Sequence, residues 1–513
     1  MKLLNVSEYL SSEDWAVILI YLAGITGLGV WFGKDQKNTK DYFLGSRNVP
    51  WWGVGLSIVA TETSALTFIG VPAMAYGDDN LTFIQIVIGY VIARIILAVV
   101  MVPHYFKGEI YSPYQLFSRA FGAGASRLPA AFFLIAGTLA AGVRVYVTCI
   151  PIHLMMGIEI FPAIVLFVAL SLIYTYVGGI KAVIWTDAAQ FVLFVAGGIF
   201  ALVYIPSLFE GGLTEVGNVA ETGNKFHWLN TQFSLAMPFN IWMGIFGATF
   251  QVMASHGADQ LIVQRVLTCK SVADGRKSLI LSAVIILPLF LAFLLTGTML
   301  WAYYRKFALA IPLPETTAGF KQTQYIFPIF ILTAVPNLFK GFLIVGILSA
   351  AMSSVSSALS ALASVSTMDF FQGLSKKERT EGFYLRFSKY STVFWAVMLI
   401  VVAYLSREVT SVLNVAFELS GWTSGAMLGG LLLAVFWKRG DSRAVALGMI
   451  SSLGVMIAIS PLVWPQGLFG GRVQIAWPWF TLIGTAVTVA VAWTSRRMSK
   501  AKRRKNDEGR TPN

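Results

Sequence analysis

The chain has little charge and few cysteines or histidines. Only 12% of its 513 residues are Asp, Glu, Lys or Arg, about half the share that is usual in a soluble domain. Its two cysteines, Cys149 and Cys269, lie in an apolar segment and in a basic loop, so neither a disulfide nor a zinc site is indicated. The four histidines are scattered, and no cluster has the spacing of metal ligands. These shortages argue against a soluble domain and against a metalloenzyme.

A nucleotide-binding loop is missing as well. The nearest match, Gly33-Lys34-Asp35, lacks the Ser or Thr and the earlier glycine of a P-loop. The sequence therefore gives no support to an ATP-driven pump, and we do not expect an enzyme.

Long apolar runs take the place of charge. Hydrophobic residues make up 56% of the chain, and its mean hydropathy is +0.70. Apolar runs of 18 or more residues are typical of transmembrane helices, whereas barrel strands would alternate in polarity. We therefore predict an all-α membrane protein with thirteen spans. They lie near residues 14–33, 51–76, 81–104, 128–156, 159–178, 182–206, 235–257, 278–303, 337–368, 387–406, 410–437, 442–464 and 477–495.

Positive charge collects in every second loop between these spans. The formal net charge is +13, but this distribution follows the positive-inside rule and does not indicate a nucleic-acid surface. With thirteen spans it predicts an outside N-terminus and a cytoplasmic C-terminus for a multi-pass protein of the cell (inner) membrane. No nucleic-acid partner is expected, and the lipid bilayer is the expected surrounding.

The ninth predicted span contains the run Ser-Ala-Ala-Met-Ser-Ser-Val-Ser-Ser-Ala-Leu-Ser. At 100° per residue, Ala350, Ser353, Ser354 and Ser357 fall on one stripe, with Ser356 on its flank. Hydroxyls without hydrocarbon bulk suit the close approach of a hard cation, which needs several oxygen ligands. Alternatively, the serines act as small residues for helix packing, each bonding back to the carbonyl four residues earlier.

The second predicted span places polar residues near the bilayer midplane. It reads Ala-Thr-Glu-Thr-Ser-Ala-Leu-Thr from Ala60 to Thr67, and a continuous helix gains nothing from them. Unwound backbone at this depth is tolerated where it lines a cavity, and its freed carbonyls can coordinate an ion. An ionisable group such as Glu62 costs on the order of 3 kcal/mol or more at this depth. It therefore marks a transport site, a structural ion pair or a protonated, hydrogen-bonded carboxyl.

Two other charged residues lie within predicted spans. Asp187 follows a Gly-Gly turn; it supplies an anionic ligand if it faces the serine stripe, or it complements the helix dipole. Arg144 is a buried guanidinium that needs an acidic partner or a carboxylate ligand. Either Glu62 and Arg144 pair with each other, or Arg144 holds a substrate carboxylate while Glu62 accepts hydrogen bonds from hydroxyls or an amine. From residues 256–271 we expect loop contacts only.

These stretches together resemble the sodium/solute symporter family, which includes sodium–glucose, sodium–proline and sodium–sialic acid cotransporters. The matching pieces run in family order: Ala60–Gly70, Gly178-Gly179 with Trp185–Gln190, Asp259-Gln260 with Gln264-Arg265, Ala350–Ser357, and Ser420-Gly421 with Phe436–Arg439. The resemblance implies the fold of the bacterial leucine transporter, which is two inverted halves of five helices. In this chain it implies an extra helix and cytoplasmic loop at 1–50, a first repeat at 51–206, an extracellular loop at 207–234, a second repeat at 235–437, two further helices at 438–495 and a basic cytoplasmic tail at 496–513.

The resemblance also implies two sodium sites and a substrate site. The first sodium site would use the carbonyls of Ala60, Thr63 and Ala350 and the hydroxyls of Ser353 and Ser354. The second would use Asp187, Ser353, Ser356 and Ser357. The substrate positions correspond to Glu62, Ser64, Thr67, Gln85 and Arg144.

Three residues depart from the family pattern. Glu62 stands where a neutral polar residue is expected, Ser255 lies near the place of a gating aromatic, and Phe417 replaces a sugar-binding glutamine. These departures disfavour a simple hexose. We therefore predict a sodium-coupled symporter that imports a small polar solute by alternating access: a sugar, an acidic sugar such as sialic acid, an amino acid or a carboxylate. The alternatives are a proton-coupled carrier with Glu62 or Asp187 as the proton site, and a transporter-like sensor, which the short stretch after the last span disfavours.

Overall fold

A computed structural model describes residues 9–33, 36–237, 239–315, 321–372, 379–408, 412–437, 440–460, 463 and 475–508. These residues form helices and their connections, with one isolated β-bridge between Glu315 and Lys321. We label fourteen of the helices. They are α1 Ser12–Phe32, α2 Trp51–Glu62, α3 Ala65–Tyr76, α4 Ile84–Val100, α5 Arg127–Met156, α6 Ile160–Ser207, α7 Thr249–Gly257, α8 Gln260–Leu267, α9 Val272–Lys306, α10 Phe339–Val365, α11 Glu381–Leu405, α12 Val412–Phe436, α13 Ser442–Ile459 and α14 Pro478–Glu508.

Shorter segments connect them. The short α-helices are Thr39–Leu44, Val102–Tyr105, Gln115–Phe121, Gly212–Thr222 and Ile326–Ala334. Two π-helical segments, Met243–Ala248 before α7 and Ser366–Phe371 after α10, extend those helices.

Each of the thirteen predicted spans overlaps a helix, but the count of thirteen is not confirmed. By length and composition, nine helices of the described residues are apolar enough to cross a membrane, or ten if α2 and α3 form one broken span. The difference has a physical reason. Two predicted spans are the halves of α6, and the spans at 81–104 and 235–257 contain helices shorter than a full crossing, such as the 17 residues of α4.

The long helix α6 changes direction at Gly179. This residue has φ +54°, and a Cβ there would lie 2.3 Å from the Tyr42 carbonyl oxygen. Only glycine fits both the left-handed conformation and this close approach. The Gly-Gly turn predicted between residues 178 and 182 is therefore a sharp kink within one helical segment.

Helix α10 is the centre of the molecule. Along its most apolar stretch, 89% of the residues are buried inside the protein, whereas 22% are buried along that of α1. It packs on α6, and also on α5, α1 and α11. Its many serines therefore face neighbouring helices and not lipid, as a polar stripe requires.

Two regions predicted as a tail and a loop contain helical structure. Helix α14 continues to Glu508, so the first part of the region predicted as a tail from 496 is helical. The predicted loop at 207–234 contains the amphipathic helix Gly212–Thr222, whose Val216 and Ala220 are buried. Hydropathy does not indicate either helical segment, because the residues after 496 are largely basic and the helix Gly212–Thr222 is amphipathic.

Candidate ion and solute site

The chain breaks between α2 and α3. The two helices meet at an angle of 57°, and Thr63 at the break has φ −81° and ψ 94°. The last helical hydrogen bond of α2 runs from Thr63 N–H to the Val59 carbonyl, at 2.8 Å. The carbonyls of Ala60, Thr61 and Glu62 follow it and accept no backbone N–H from the described residues. The unwinding predicted for this span is therefore present, and it leaves oxygen ligands free.

Helix α10 lies beside this break. Thr61 Oγ1 of α2 is 3.3 Å from Ser357 Oγ of α10, which fixes the serine face of α10 toward α2. Ser354 Oγ donates to the Ala350 carbonyl at 3.1 Å, so these two predicted ligands of the first sodium site are in contact. Ser353 is fully buried. The structure thus gathers the two elements from which the first site was predicted.

Asp187 faces the same serines from α6. Its Oδ1 accepts a hydrogen bond from Ser353 Oγ at 2.7 Å, and its Oδ2 accepts one from Ser57 Oγ at 2.6 Å. Ser356 Oγ instead donates to the Ser353 carbonyl at 3.1 Å. Asp187 therefore contacts the serine stripe through Ser353, and its role is not limited to complementing the helix dipole.

Arg265 of α8 completes this cluster. Its Nη2 donates to Asp187 Oδ2 at 2.9 Å and also to Ser357 Oγ, while its Nε donates to Ser57 Oγ at 2.8 Å. Both members of the ion pair are fully buried. The guanidinium of Arg265 thus contacts Asp187 and Ser357, two of the residues predicted as ligands of a second sodium ion.

The expectation of mere loop contacts for residues 256–271 was wrong. Part of the stretch forms α8, which Asp259 caps by accepting a hydrogen bond from Leu261 N–H at 2.8 Å. The side chain of Arg265 in this helix is fully buried. The sequence contained a signal for the contact between Arg265 and Asp187. A buried carboxylate such as Asp187 requires a cationic partner, and Arg265 lies in one of the family-like motifs.

Glu62 pairs with Arg94 and not with Arg144. Arg94 of α4 donates from Nη2 to Glu62 Oε2, and the same oxygen lies 3.7 Å from His256 Nε2 of α7. Of the two alternatives for Glu62 and Arg144, the pairing with each other is therefore wrong. The single arginine in the apolar run of α4 marked this partner, since an arginine within a span is expected to be paired.

The same cluster fixes the tautomer of His256. Arg94 Nη2 lies 3.1 Å from His256 Nε2, and a guanidinium only donates, so Nε2 is the acceptor. The ring proton then sits on Nδ1, which lies 2.9 Å from Ser255 Oγ. Arg94 also donates from Nε to Ser282 Oγ of α9 at 3.2 Å. The cluster ties together α2, α4, α7 and α9 next to the helix break.

Arg144 of α5 has a different environment. No carboxylate of the described residues lies within 4 Å of its guanidinium. Arg144 interacts electrostatically with Asp259. Burial raises the pKa of Asp259 to about 6, and this rise is opposed first by the hydrogen bond from Leu261 N–H and then by the positive charge of Arg144. A guanidinium without a close carboxylate is suited to an anionic group supplied by a solute.

The other predicted substrate residues divide into two groups. Ser64 and Thr67 are buried at the start of α3, and in the described part of the chain their hydroxyls have no hydrogen-bond partner. Gln85 instead donates to the Thr82 and Phe239 carbonyls, both at 3.1 Å, and accepts from Asn230 N–H at 3.0 Å. The side-chain amide group of Gln85 therefore donates to backbone carbonyls. The side chain of Phe417 lies outside the described residues.

Comparison with curated proteins gives similar transporters. The chain is 30% identical over 453 residues to the sodium/sialic acid symporter SiaT of Proteus mirabilis, covering 87% of this chain and 89% of the relative. It is 29% identical to the sodium/sialic acid symporter NanT of Aliivibrio fischeri, over 95% of this chain and 93% of the relative. A sodium/glucose cotransporter of Vibrio parahaemolyticus is 25% identical, with coverage of 95% and 91%.

Comparison with solved structures agrees. The fold matches the substrate-bound, outward-open state of a Na⁺-coupled sialic acid symporter with a TM-score of 0.84 and 26% identity, covering 95% of this chain and 98% of that one. This match shows a leucine-transporter-like fold. Mhp1, a nucleobase-cation-symport-1 family transporter, matches with a TM-score of 0.55 at 14% identity, which is a similarity of fold alone. The model of the sodium:solute symporter family matches residues 42–451. The chain belongs to the sodium:solute symporter family, and it is a membrane transporter and not an enzyme.

Proposed function

We propose that this chain imports a carboxylate-bearing solute of the sialic acid type together with sodium, by alternating access. The observation that carries the proposal is the break between α2 and α3, whose free carbonyls lie beside the serine face of α10. The sialic acid symporters among its relatives support the solute class. The proposed orientation in the cell (inner) membrane has the N-terminus outside and the C-terminus in the cytoplasm.

In the proposed first sodium site, the ion binds between α2 and α10. Its ligands are the carbonyls of Ala60, Thr63 and Ala350 and the hydroxyls of Ser353 and Ser354. Their oxygens suit a hard cation. The Ser354 hydroxyl now donates to Ala350, so both oxygens keep a lone pair for the ion. Sodium here would hold the broken helix against the core of the molecule.

In the proposed second site, sodium binds Asp187 with Ser353, Ser356 and Ser357. Arg265 already neutralises Asp187 through Oδ2, while Oδ1 accepts, among the residues that the structure describes, only the hydrogen bond of the Ser353 hydroxyl. Sodium at this place must therefore share the carboxylate with Arg265 or displace the guanidinium. Sodium and Arg265 would then compete for the Asp187 carboxylate. Displacement of Arg265 by sodium would break its contacts with Asp187 of α6 and Ser357 of α10, and so release α8 from these helices.

In the proposed solute site, Arg144 receives the carboxylate in a bidentate fork. Ser64 and Thr67 offer hydroxyls, and Glu62 accepts from solute hydroxyls or an amine through Oε1, since Arg94 and His256 contact only its Oε2. The Glu62 side chain is 14% exposed, whereas that of Arg94 is fully buried. In the pair of Glu62 and Arg94, the carboxylate is therefore partly accessible and the guanidinium is not. Gln85 remains in the proposed set as a support for the extracellular side.

Sodium and solute would stabilise the same closed arrangement of α2, α3 and α10. Each then raises the affinity for the other by the same factor, because coupling between two bound ligands is reciprocal. The proposal therefore requires solute binding that depends on sodium.

Replacement of Arg144 by lysine tests the proposed solute site. An ammonium cannot form the guanidinium fork, so Arg144→Lys should fold normally yet bind sialic acid at least tenfold more weakly in sodium, as measured by thermal shift. Arg276→Lys is the matched control, because Arg276 contacts the Ala98 carbonyl at the end of α4 instead. Unchanged sialic acid affinity in Arg144→Lys would contradict the carboxylate assignment.

A proton-coupled carrier of the same fold is the second candidate. The observation that favours it is the position of His256 beside Glu62 at the helix break, with 3.7 Å between His256 Nε2 and Glu62 Oε2. Uptake that survives the removal of sodium but is abolished by a protonophore would identify this carrier.

A further inference from the structure

A shallow apolar groove runs between α12 and α14, outside the ion and solute sites. Its cavity volume is about 300 Å³, at the small end for ligand pockets. We call it the tryptophan groove. It is lined by Leu432, Leu433, Phe436, Trp437, Val489 and Trp493. Since no lining side chain is charged, the groove suits a hydrocarbon chain and not a polar solute.

Two arginines stand at one end of the tryptophan groove. The Arg496 guanidinium carbon lies 4.9 Å from the Trp437 ring centre, and that of Arg497 lies 3.5 Å from the Trp493 ring centre. Trp437 follows the last residue of α12, so the guanidinium groups lie where the apolar part of that helix ends. Stacking on the rings fixes both charges beside the groove.

Tryptophan and arginine in this arrangement identify the membrane interface. Tryptophan is enriched at the headgroup level, and arginine near a helix end extends its charge to the same level. The groove therefore opens into the hydrocarbon while its charged end meets the headgroups. Both aromatic walls reach the surface, since Phe436 is 59% exposed and Trp493 is 46% exposed.

We propose that the tryptophan groove binds one anionic phospholipid. An acyl chain lies along Leu432, Phe436 and Val489, and the headgroup phosphate accepts hydrogen bonds from Arg496 and Arg497. Charge complementarity selects an anionic lipid, because a zwitterionic headgroup brings its own cation close to two arginines. The sequence after Arg497 adds further lysines and arginines, which strengthens the attraction to an anionic leaflet.

Native mass spectrometry of the full-length protein tests this site. The protein is titrated with phosphatidylglycerol or with phosphatidylcholine of the same chain length. Wild-type protein should retain one phosphatidylglycerol in preference to phosphatidylcholine. Arg496→Gln/Arg497→Gln should weaken that retention roughly tenfold to thirtyfold. Val489→Trp, which fills the groove and keeps both charges, should also lose the lipid.

The matched control removes the same charge elsewhere. Arg379 and Arg386 are at the beginning of α11, and Arg379→Gln/Arg386→Gln should retain phosphatidylglycerol as wild type does. Inorganic phosphate should not compete, because it has no acyl chain. Equal retention of both lipids, equal loss in the control variant, unchanged retention in Val489→Trp, or competition by inorganic phosphate would each overturn the proposed site.

Discussion

The buried pair of Asp187 and Arg265 is the strongest constraint at the scale of single residues. Neither side chain has contact with solvent, and three serines, Ser57, Ser353 and Ser357, form hydrogen bonds with the pair. Removing one member of such a pair leaves an uncompensated charge, which costs about 3–5 kcal/mol. In the proposed second site, a sodium ion would compensate the charge of Asp187 in place of the guanidinium.

Replacement of Arg265 by glutamine should make stability depend on sodium. Arg265→Gln should lower the melting temperature in choline chloride, because Asp187 loses its cation. Sodium chloride should then raise the melting temperature of the variant more than that of wild type, since a ligand that binds only the folded state stabilises it. Differential scanning fluorimetry in the two salts measures both effects.

The control is the double variant Asp187→Asn/Arg265→Gln, which has no buried charge to compensate. It should recover stability in choline and lose the extra sodium effect. An equal sodium effect in wild type and Arg265→Gln would contradict competition at Asp187.

The pair of Glu62 and Arg94 should show strong coupling between its members. Glu62→Gln and Arg94→Gln each leave a buried partner unpaired. The double variant should therefore lose about 1–3 kcal/mol less free energy of unfolding than the two single variants lose together. Urea or thermal unfolding of the four proteins completes the cycle.

An exposed ion pair provides the comparison. Lys40 and Glu109 have side chains that are 43% and 61% exposed, and Glu109→Gln should cost at most about 1 kcal/mol. Additive losses at Glu62 and Arg94 would show that the two charges do not interact.

At the scale of helices, the sequence predicted positions well and partners poorly. Apolar length located the helices, and the polar run from Ala60 to Thr67 located the break, because lipid excludes unpaired backbone. Hydropathy could not show that Arg94 and Arg265 enter the interior, since it scores a paired arginine and a free arginine alike. Their partners lie 32 and 78 positions away in the chain, and only the packing of helices brings them together.

The kink of α6 gives a prediction at this scale. Gly179→Ala should destabilise the protein strongly, because its Cβ would meet the Tyr42 carbonyl at 2.3 Å and φ is +54°. We expect a loss of at least about 1–2 kcal/mol from the left-handed conformation alone, seen as a lower melting temperature. Gly24→Ala is the control: nothing lies within 4 Å of its Cβ, so alanine in α1 should be neutral or stabilising. Equal melting temperatures for the two variants would contradict the role of Gly179.

At the scale of the whole molecule, the buried polar contacts join different sets of helices. The cluster around Glu62 ties α2 to α4, α7 and α9, whereas the cluster around Asp187 ties α2 and α8 to α6 and α10. If α2 moves together with α4, α7 and α9 against α6 and α10, the hydrogen bond from Ser57 to Asp187 must break, whereas the hydrogen bond from Ser353 to Asp187 and the contacts of Glu62 stay intact. This division suits alternating access, in which one group of helices rocks against another.

Sodium-driven uptake into proteoliposomes tests sodium-coupled import most directly. Labelled sialic acid and labelled glucose are compared with an inward sodium gradient and with choline replacing sodium. We predict that sialic acid accumulates above equilibrium only with the sodium gradient, and that glucose does not. Sialic acid uptake of the same size in choline, or accumulation of glucose alone, would contradict the proposal.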